Sequence, residues 1–288
     1  MVTENQNEIV LYGIAGSPGV SHGPVFHFLH GDVEVPHYRV SESEQASELK
    51  RFKDAVEITR VQIEEIRKAV KGTKEDQIIF CGSGATAAIN KIIDILGLRL
   101  PHDLASRYSL LSAIPAQERP VVFIGPYEHH SNELPWRESI ADVEAIPLDD
   151  EAQISLSALG AALHKYRDRA LKIGSFSAAS NVTGIKSDVK AVTRLLKRQG
   201  ALAFWDYAAA APYVDIDMNG SADEGEPAIL DAAFISPHKF IGGPGTPGVL
   251  VAKRSILKIT IPAVVGGGTV KYVTPEDHRY LEDHERRE

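Results

Sequence analysis

The sequence predicts an α/β fold: a mostly parallel sheet with helices on both faces, preceded by a short β/turn segment and a long amphipathic helix. Three observations carry this. From residue 73 onward, apolar runs of strand length alternate with helical runs, the pattern of parallel strands joined by crossover helices. Ahead of them, a single apolar seam repeats at 3,4 spacing through residues 41–71. Polar residues of chemical interest then fall just beyond the apolar runs, where open α/β sheets bind ligands.

Residues 9–28 read as extended pieces punctuated by Gly13, Gly16, Pro18, Gly19, Gly23 and Pro24. Ser41 and Glu44 form a capping box for the helix that follows. Its seam is Leu49, Phe52, Val56, Thr59, Ile63, Ile66 and Val70, and Gly72 closes it. Such a seam must pack on a partner helix or on the chain's own core. Strands are expected at Gln77–Cys81, Pro120–Ile124, Leu171–Phe176, Ala201–Trp205, 231–235 and Gly248–Ala252. Helices are expected at Ala85–Leu96, 155–167 and Ser187–Gln199, the last stopped by Gly200.

At 288 residues the chain accommodates one large α/β domain or two smaller ones. A formal charge of −8 gives no electrostatic bias toward nucleic acid or an anionic membrane. One cysteine, Cys81, excludes an intramolecular disulfide and fits a reducing compartment. The opening Met1-Val2-Thr3-Glu4-Asn5 lacks the basic and apolar regions of a signal peptide. No apolar run approaches the ~20 residues of a bilayer span. A cytoplasmic address is expected.

Lys239, in Ser236-Pro237-His238-Lys239-Phe240, follows the apolar run Ala232–Ile235 and precedes a glycine-rich turn. An amine at the mouth of a buried strand can have its charged form disfavoured, freeing it to form a Schiff base with an aldehyde. Gly82-Ser83-Gly84-Ala85-Thr86 opens a helix and offers free backbone N–H groups to an anion such as phosphate. Asp206 ends an apolar strand, either as a cap or as the partner of a positively charged ring nitrogen. Glu128-His129-His130 raises a metal reading, but adjacent histidines in an extended segment face opposite ways and no second ligand lies at helical spacing. An imidazole stacked on a flat ring, or a structural histidine, fits better. Asn181, in Ser180–Gly184, is either a turn residue or an amide for a phenolic oxygen. Together these match the functional groups of pyridoxal 5′-phosphate, whose protonated ring serves as an electron sink.

The segments Ser83–Asn90, Glu128–Asn132 and Ser180–Gly184, with Asp206, Ser236-x-His238-Lys239 and Gly243-Pro244-Gly245, resemble class V aminotransferases. That group includes cysteine desulfurases and selenocysteine lyases. The resemblance implies the large domain of the fold type I pyridoxal-phosphate enzymes, acting on a small amino acid. It implies that Lys239 holds the cofactor and later moves the substrate α-proton. Asp206 would pair with the pyridine nitrogen, His129 would stack on the ring and Asn181 would approach the phenolic oxygen. Gly84, Ala85 and Thr86, with Ser236 and His238, would occupy the phosphate-binding positions. One departure is Ala209, where desulfurases usually carry a glutamine. Which amino acid is used, and for which reaction, stays open.

Family members run on into a Gly-Thr-Pro turn that reaches a neighbouring subunit's phosphate, which implies a homodimer. They also carry a smaller C-terminal domain with a carboxylate-binding arginine and, in desulfurases, a nucleophilic cysteine. That domain is expected to be missing here, with Cys81 structural. The opening Tyr12-Gly13-Ile14-Ala15-Gly16-Ser17-Pro18-Gly19-Val20-Ser21-His22-Gly23, with its long charged helix, resembles the start of the first enzyme of the bacterial sugar phosphotransferase system. No loop matches that family's active histidine, so phosphotransfer is not carried over. The expected organisation is therefore composite: a phosphotransferase-like segment 1–72 and a cofactor domain 73–288. The alternatives are a non-catalytic interaction or scaffold protein using the 41–71 helix, or a phosphotransferase-system fragment.

Overall fold

The computed structural model describes residues 29–30, 33–34, 42–220 and 225–282. Strands β1 (Leu29–His30) and β2 (Val33–Glu34) pair antiparallel, and helix α1 spans Glu42–Ala69. Then follow β3 (Asp76–Cys81), α2 (Gly84–Ile95), α3 (His102–Arg107), α4 (Leu110–Ala113), β4 (Val121–Ile124), α5 (Leu134–Arg137) and β5 (Asp142–Ala145). After them come α6 (Leu156–Lys165), β6 (Lys172–Ser177), α7 (Val189–Arg198), β7 (Leu202–Asp206), β8 (Ala232–Ile235) and β9 (Gly248–Lys253). A hairpin of β10 (Val270–Val273) and β11 (His278–Tyr280) closes the described chain.

Seven strands form one sheet in the order β3-β9-β8-β7-β6-β4-β5. Strands β5, β4, β6, β7 and β8 run parallel, while β9 is antiparallel to both β8 and β3. Side chains alternate across the pleat, so neighbouring apolar residues serve different layers. Ile78, Phe123, Phe176, Trp205 and Val251 pack with Leu159 and Leu163 of α6 and Val192 and Leu196 of α7. Ile79, Val122, Ile173, Phe204, Phe234 and Leu250 pack on the other face with Ile89, Ile92 and Ile93 of α2 and Trp136 of α5. Burial on both faces is why these strands read as continuous apolar runs rather than as alternation.

Every strand expected from the sequence is present. The edge strand β5 was not expected: Asp142-Val143-Glu144-Ala145 is short and only half-buried, so its pattern is weak. The β10–β11 hairpin was likewise unforeseen, its residues being largely exposed. Ser41, half of the expected capping box, and residues 9–28 lie outside the described residues.

The compact unit that contains the sheet begins at Gln62 and so takes in the last turns of α1. There the seam packs inward: Val70 is buried, with Ile63 and Ile66 against the same core. Beside it sits a buried polar cluster. Asp76, at the start of β3, is 0% exposed. Its Oδ1 pairs with Lys253 Nζ at 2.7 Å, and its Oδ2 accepts from Thr73 N (2.8 Å), Thr73 Oγ1 (3.2 Å) and Asn219 Nδ2 (3.2 Å). Arg67 Nε donates to the Asp76 carbonyl at 3.2 Å, tying the helix end to the strand. Among the described residues no helix is long and apolar enough to cross a membrane.

Candidate active site

At the carboxyl ends of the parallel strands lies a cleft of about 260 Å³. All nine residues singled out from the sequence line it: Gly84, Ala85, Thr86, His129, Asn181, Asp206, Ser236, His238 and Lys239. They come from five places in the chain, at or just beyond the carboxyl ends of β3, β4, β6, β7 and β8, which share one edge of the sheet.

Helix α2 enters the cleft through Gly84, whose φ of +61° lies in the left-handed region. A Cβ on Gly84 would sit 2.5 Å from His238 Cε1 and 3.0 Å from Ser236 Oγ, so glycine is required twice over. The missing side chain lets the turn after β8 close against the helix N-terminus. Across that junction Ala85 N donates to Ser236 Oγ at 2.8 Å. Thr86 Oγ1 donates to Ser131 Oγ at 2.7 Å, and Ser131 Oγ lies 2.9 Å from His129 Nδ1. Because Ser131 N also donates to Nδ1 (3.2 Å), and an N–H can only donate, Nδ1 is the acceptor and the neutral ring carries its proton on Nε2.

Asp206 ends β7 and is 4% exposed. Among the described residues a single donor reaches its carboxylate, Ala208 N to Oδ1 at 2.8 Å. Burial raises this carboxyl above the ordinary range; the Ala208 bond and the nearby Lys239 and His129 side chains pull the other way without cancelling it. Lys239 sits on the turn Pro237–Lys239 directly after β8 and is exposed at the rim. The apolar surroundings expected for its amine are thus not what surrounds it. Asn181 and Ala209 also face the cleft.

The sequence reading passed over Glu128. Its carboxylate is enclosed by four donors: Gly125 N (3.2 Å) and Ser177 N (2.9 Å) on Oε1, Asn132 Nδ2 (2.5 Å) and Ser177 Oγ (2.8 Å) on Oε2. Burial pushes it up to about 7 against those hydrogen bonds, helped by the nearby Asp206. Its position before His129 was visible, but Ser177 lies 49 residues away, so no local pattern announced the contact.

Cys81 does not line the cleft. Its thiol lies 3.7 Å from the Gly248 carbonyl, and burial pushes it up to about 11, away from the thiolate that a nucleophile needs.

Pyridoxal phosphate can be tested against this arrangement. A buried carboxylate with one donor suits a cationic ring nitrogen, the close packing of Ser236 and His238 on Gly84 gathers polar side chains at the helix N-terminus, and a rim amine faces the same space. The residues present fit the group.

The sequence profile of the class-V aminotransferases matches residues 34–288. The chain belongs to that family. Among curated relatives, a probable cysteine desulfurase 2 of Mycobacterium leprae (strain TN) is 29% identical over 231 residues, covering 79% of this chain and 48% of that protein. A cysteine desulfurase of Synechococcus elongatus is 28% identical over 234 residues, covering 80% and 32%. This class-V chain spans no more than about half the length of these relatives. In fold it is similar to the apo structure of a cysteine desulfurase from Thermococcus onnurineus NA1, with a TM-score of 0.58, 23% identity, and coverage of 77% and 49%. The corresponding values for an Escherichia coli cysteine desulfurase are 0.56, 20%, 88% and 55%. Those two structures carry the fold, the fold type I large domain. The match takes in helix α1. The phosphotransferase-like opening lies ahead of it and outside the described residues, and the match lends that resemblance no support.

Proposed function

We propose that this class-V chain binds pyridoxal 5′-phosphate in the cleft and acts on a small amino acid. The observation that carries the reading is the buried Asp206 carboxylate, held by one backbone donor and facing a cleft that also contains Lys239. When bound, the cofactor supplies a protonated ring that draws electrons from the substrate α-carbon. Lys239 anchors it through Nζ and then takes or returns the α-proton. Asp206 keeps the ring nitrogen protonated. His129, held by Ser131, would hold the ring, and Asn181 would serve its phenolic oxygen. Thr86, Ser236 and His238 would hold the phosphate around the Gly84 turn, where Ala85 N–H is already engaged by Ser236 Oγ.

The relatives named as cysteine desulfurases support a reaction at a sulfur-bearing amino acid, but Cys81 is unsuited to be the sulfur acceptor. The exposed apolar side chains Val182, Tyr213 and Ile241, on the connections after β6, β7 and β8, support a homodimer formed around the cleft. An interaction module built on α1 is not favoured, because the described end of its seam packs into the chain's own core.

The test is direct. Purified protein is incubated with pyridoxal phosphate, freed of excess, and scanned for bound absorbance in the near-ultraviolet to violet. Borohydride reduction and peptide mapping should then place the label on Lys239, and Lys239→Ala should remove it. No absorbance, or a label elsewhere, would sink the reading.

A further inference from the structure

We propose that Glu128 is a positioning residue whose charge state couples to cofactor binding: it clasps the His129 loop to the end of β6 and shares the field of Asp206. This rests on reading the cleft as a pyridoxal-phosphate site. Glu128 joins a loop and a strand end that otherwise line the cleft separately. Its own loop carries His129 and Ser131, and Ser177, the last residue of β6, lines the cleft. Gly125 lets the loop fold back closely, since a Cβ there would sit 2.8 Å from Glu128 Oε1.

Three of the four donors cannot reverse. Gly125 and Ser177 offer backbone N–H groups. The Asn132 amide is fixed from behind, because Trp136 Nε1 only donates and lies 3.4 Å from Asn132 Oδ1, which also accepts from Ser175 Oγ at 2.7 Å. Asn132 Nδ2 therefore faces Glu128. Only the Ser177 hydroxyl can turn to accept. The geometry is built for an ionised Glu128, while burial and Asp206 oppose ionisation, so the balance sits near neutral pH.

The titratable and charged groups bearing on this balance are Asp206 on β7, His129 on the same loop, and Lys239 after β8, which acts on Asp206 across the cleft. A cationic ring nitrogen placed against Asp206 offsets its charge and lets Glu128 ionise. Cofactor binding should then release a proton from Glu128, and the four-fold clasp should tighten around His129.

The experiment compares wild type with Glu128→Gln by titration calorimetry with pyridoxal phosphate, in buffers of different ionisation enthalpy from pH 6 to 8. Visible circular dichroism of the bound cofactor is read in parallel. The variant should release fewer protons near pH 7, bind about tenfold more weakly through the lost charged hydrogen bonds, and lose the pH-dependent change in the dichroic band. A folded variant with unchanged proton count and dichroism overturns the role of Glu128 while leaving the cofactor reading intact. Absence of binding by wild type overturns both. Should Glu128→Gln fail to fold, Ser177→Ala removes the one reversible donor and should shift the midpoint of the wild-type dichroic change. A wild-type band that is flat across this range counts against the proposal.

Discussion

Asp76 and Asp206 are buried carboxylates at opposite edges of one sheet, and their environments differ. Asp76, at the amino edge, has an ion pair to Lys253 and three further donors. Asp206, at the carboxyl edge, has one donor. For Asp76, burial pushes the carboxyl up, but hydrogen bonds from Lys253, Thr73 and Asn219 outweigh it and hold it below the usual range. For Asp206, burial prevails. The first is complete and serves the fold. The second leaves bonding capacity facing a cleft, the signature of a group set for a ligand.

The largest expected effect separates them. Asp76→Ala leaves Lys253 with its principal charge partner gone, and should cost about 3–5 kcal/mol in urea unfolding. Asp206→Ala should change stability by only about 1 kcal/mol, yet abolish cofactor binding. Equal losses of stability would break the comparison.

The pH dependence sharpens it, because the signs oppose. Asp76 has a depressed value, so its stabilisation is present above the ordinary aspartate range and is lost as pH falls through the folded value. Glu128 and Asp206 have raised values, so the cofactor-free fold binds those protons more tightly than the unfolded chain. Their effect makes stability decline as pH rises, for Glu128 from its ordinary 4.5 to about 7. Melting temperatures between pH 4.5 and 7 should fall in wild type and fall less in Glu128→Gln.

The smallest effect concerns the cradle. Gly84→Ala should cost about 1–2 kcal/mol from the left-handed backbone alone, plus whatever displacing His238 adds. Cofactor affinity should drop more than stability does. A folded Gly84→Ala that binds normally would remove the cradle from the site.

The sequence by itself determined the α/β class, the six core strands and the residues that gather at the cleft. These are legible because each rests on neighbours in the chain: a strand's apolar run, a glycine at a turn, a polar residue just past a strand end. Strand ends on one edge converge whenever strands run parallel, so order along the chain sufficed to collect Gly84, His129, Asn181, Asp206 and Lys239. Tertiary structure alone decided the rest. The reversal of β9, the Asp76–Lys253 pair spanning the amino edge, the exposed setting of Lys239 and the Glu128–Ser177 clasp depend on strands meeting across long separations. The acidity of a carboxylate depends on the donors and charges around it, and those are chosen by packing, not by the residues beside it in the chain.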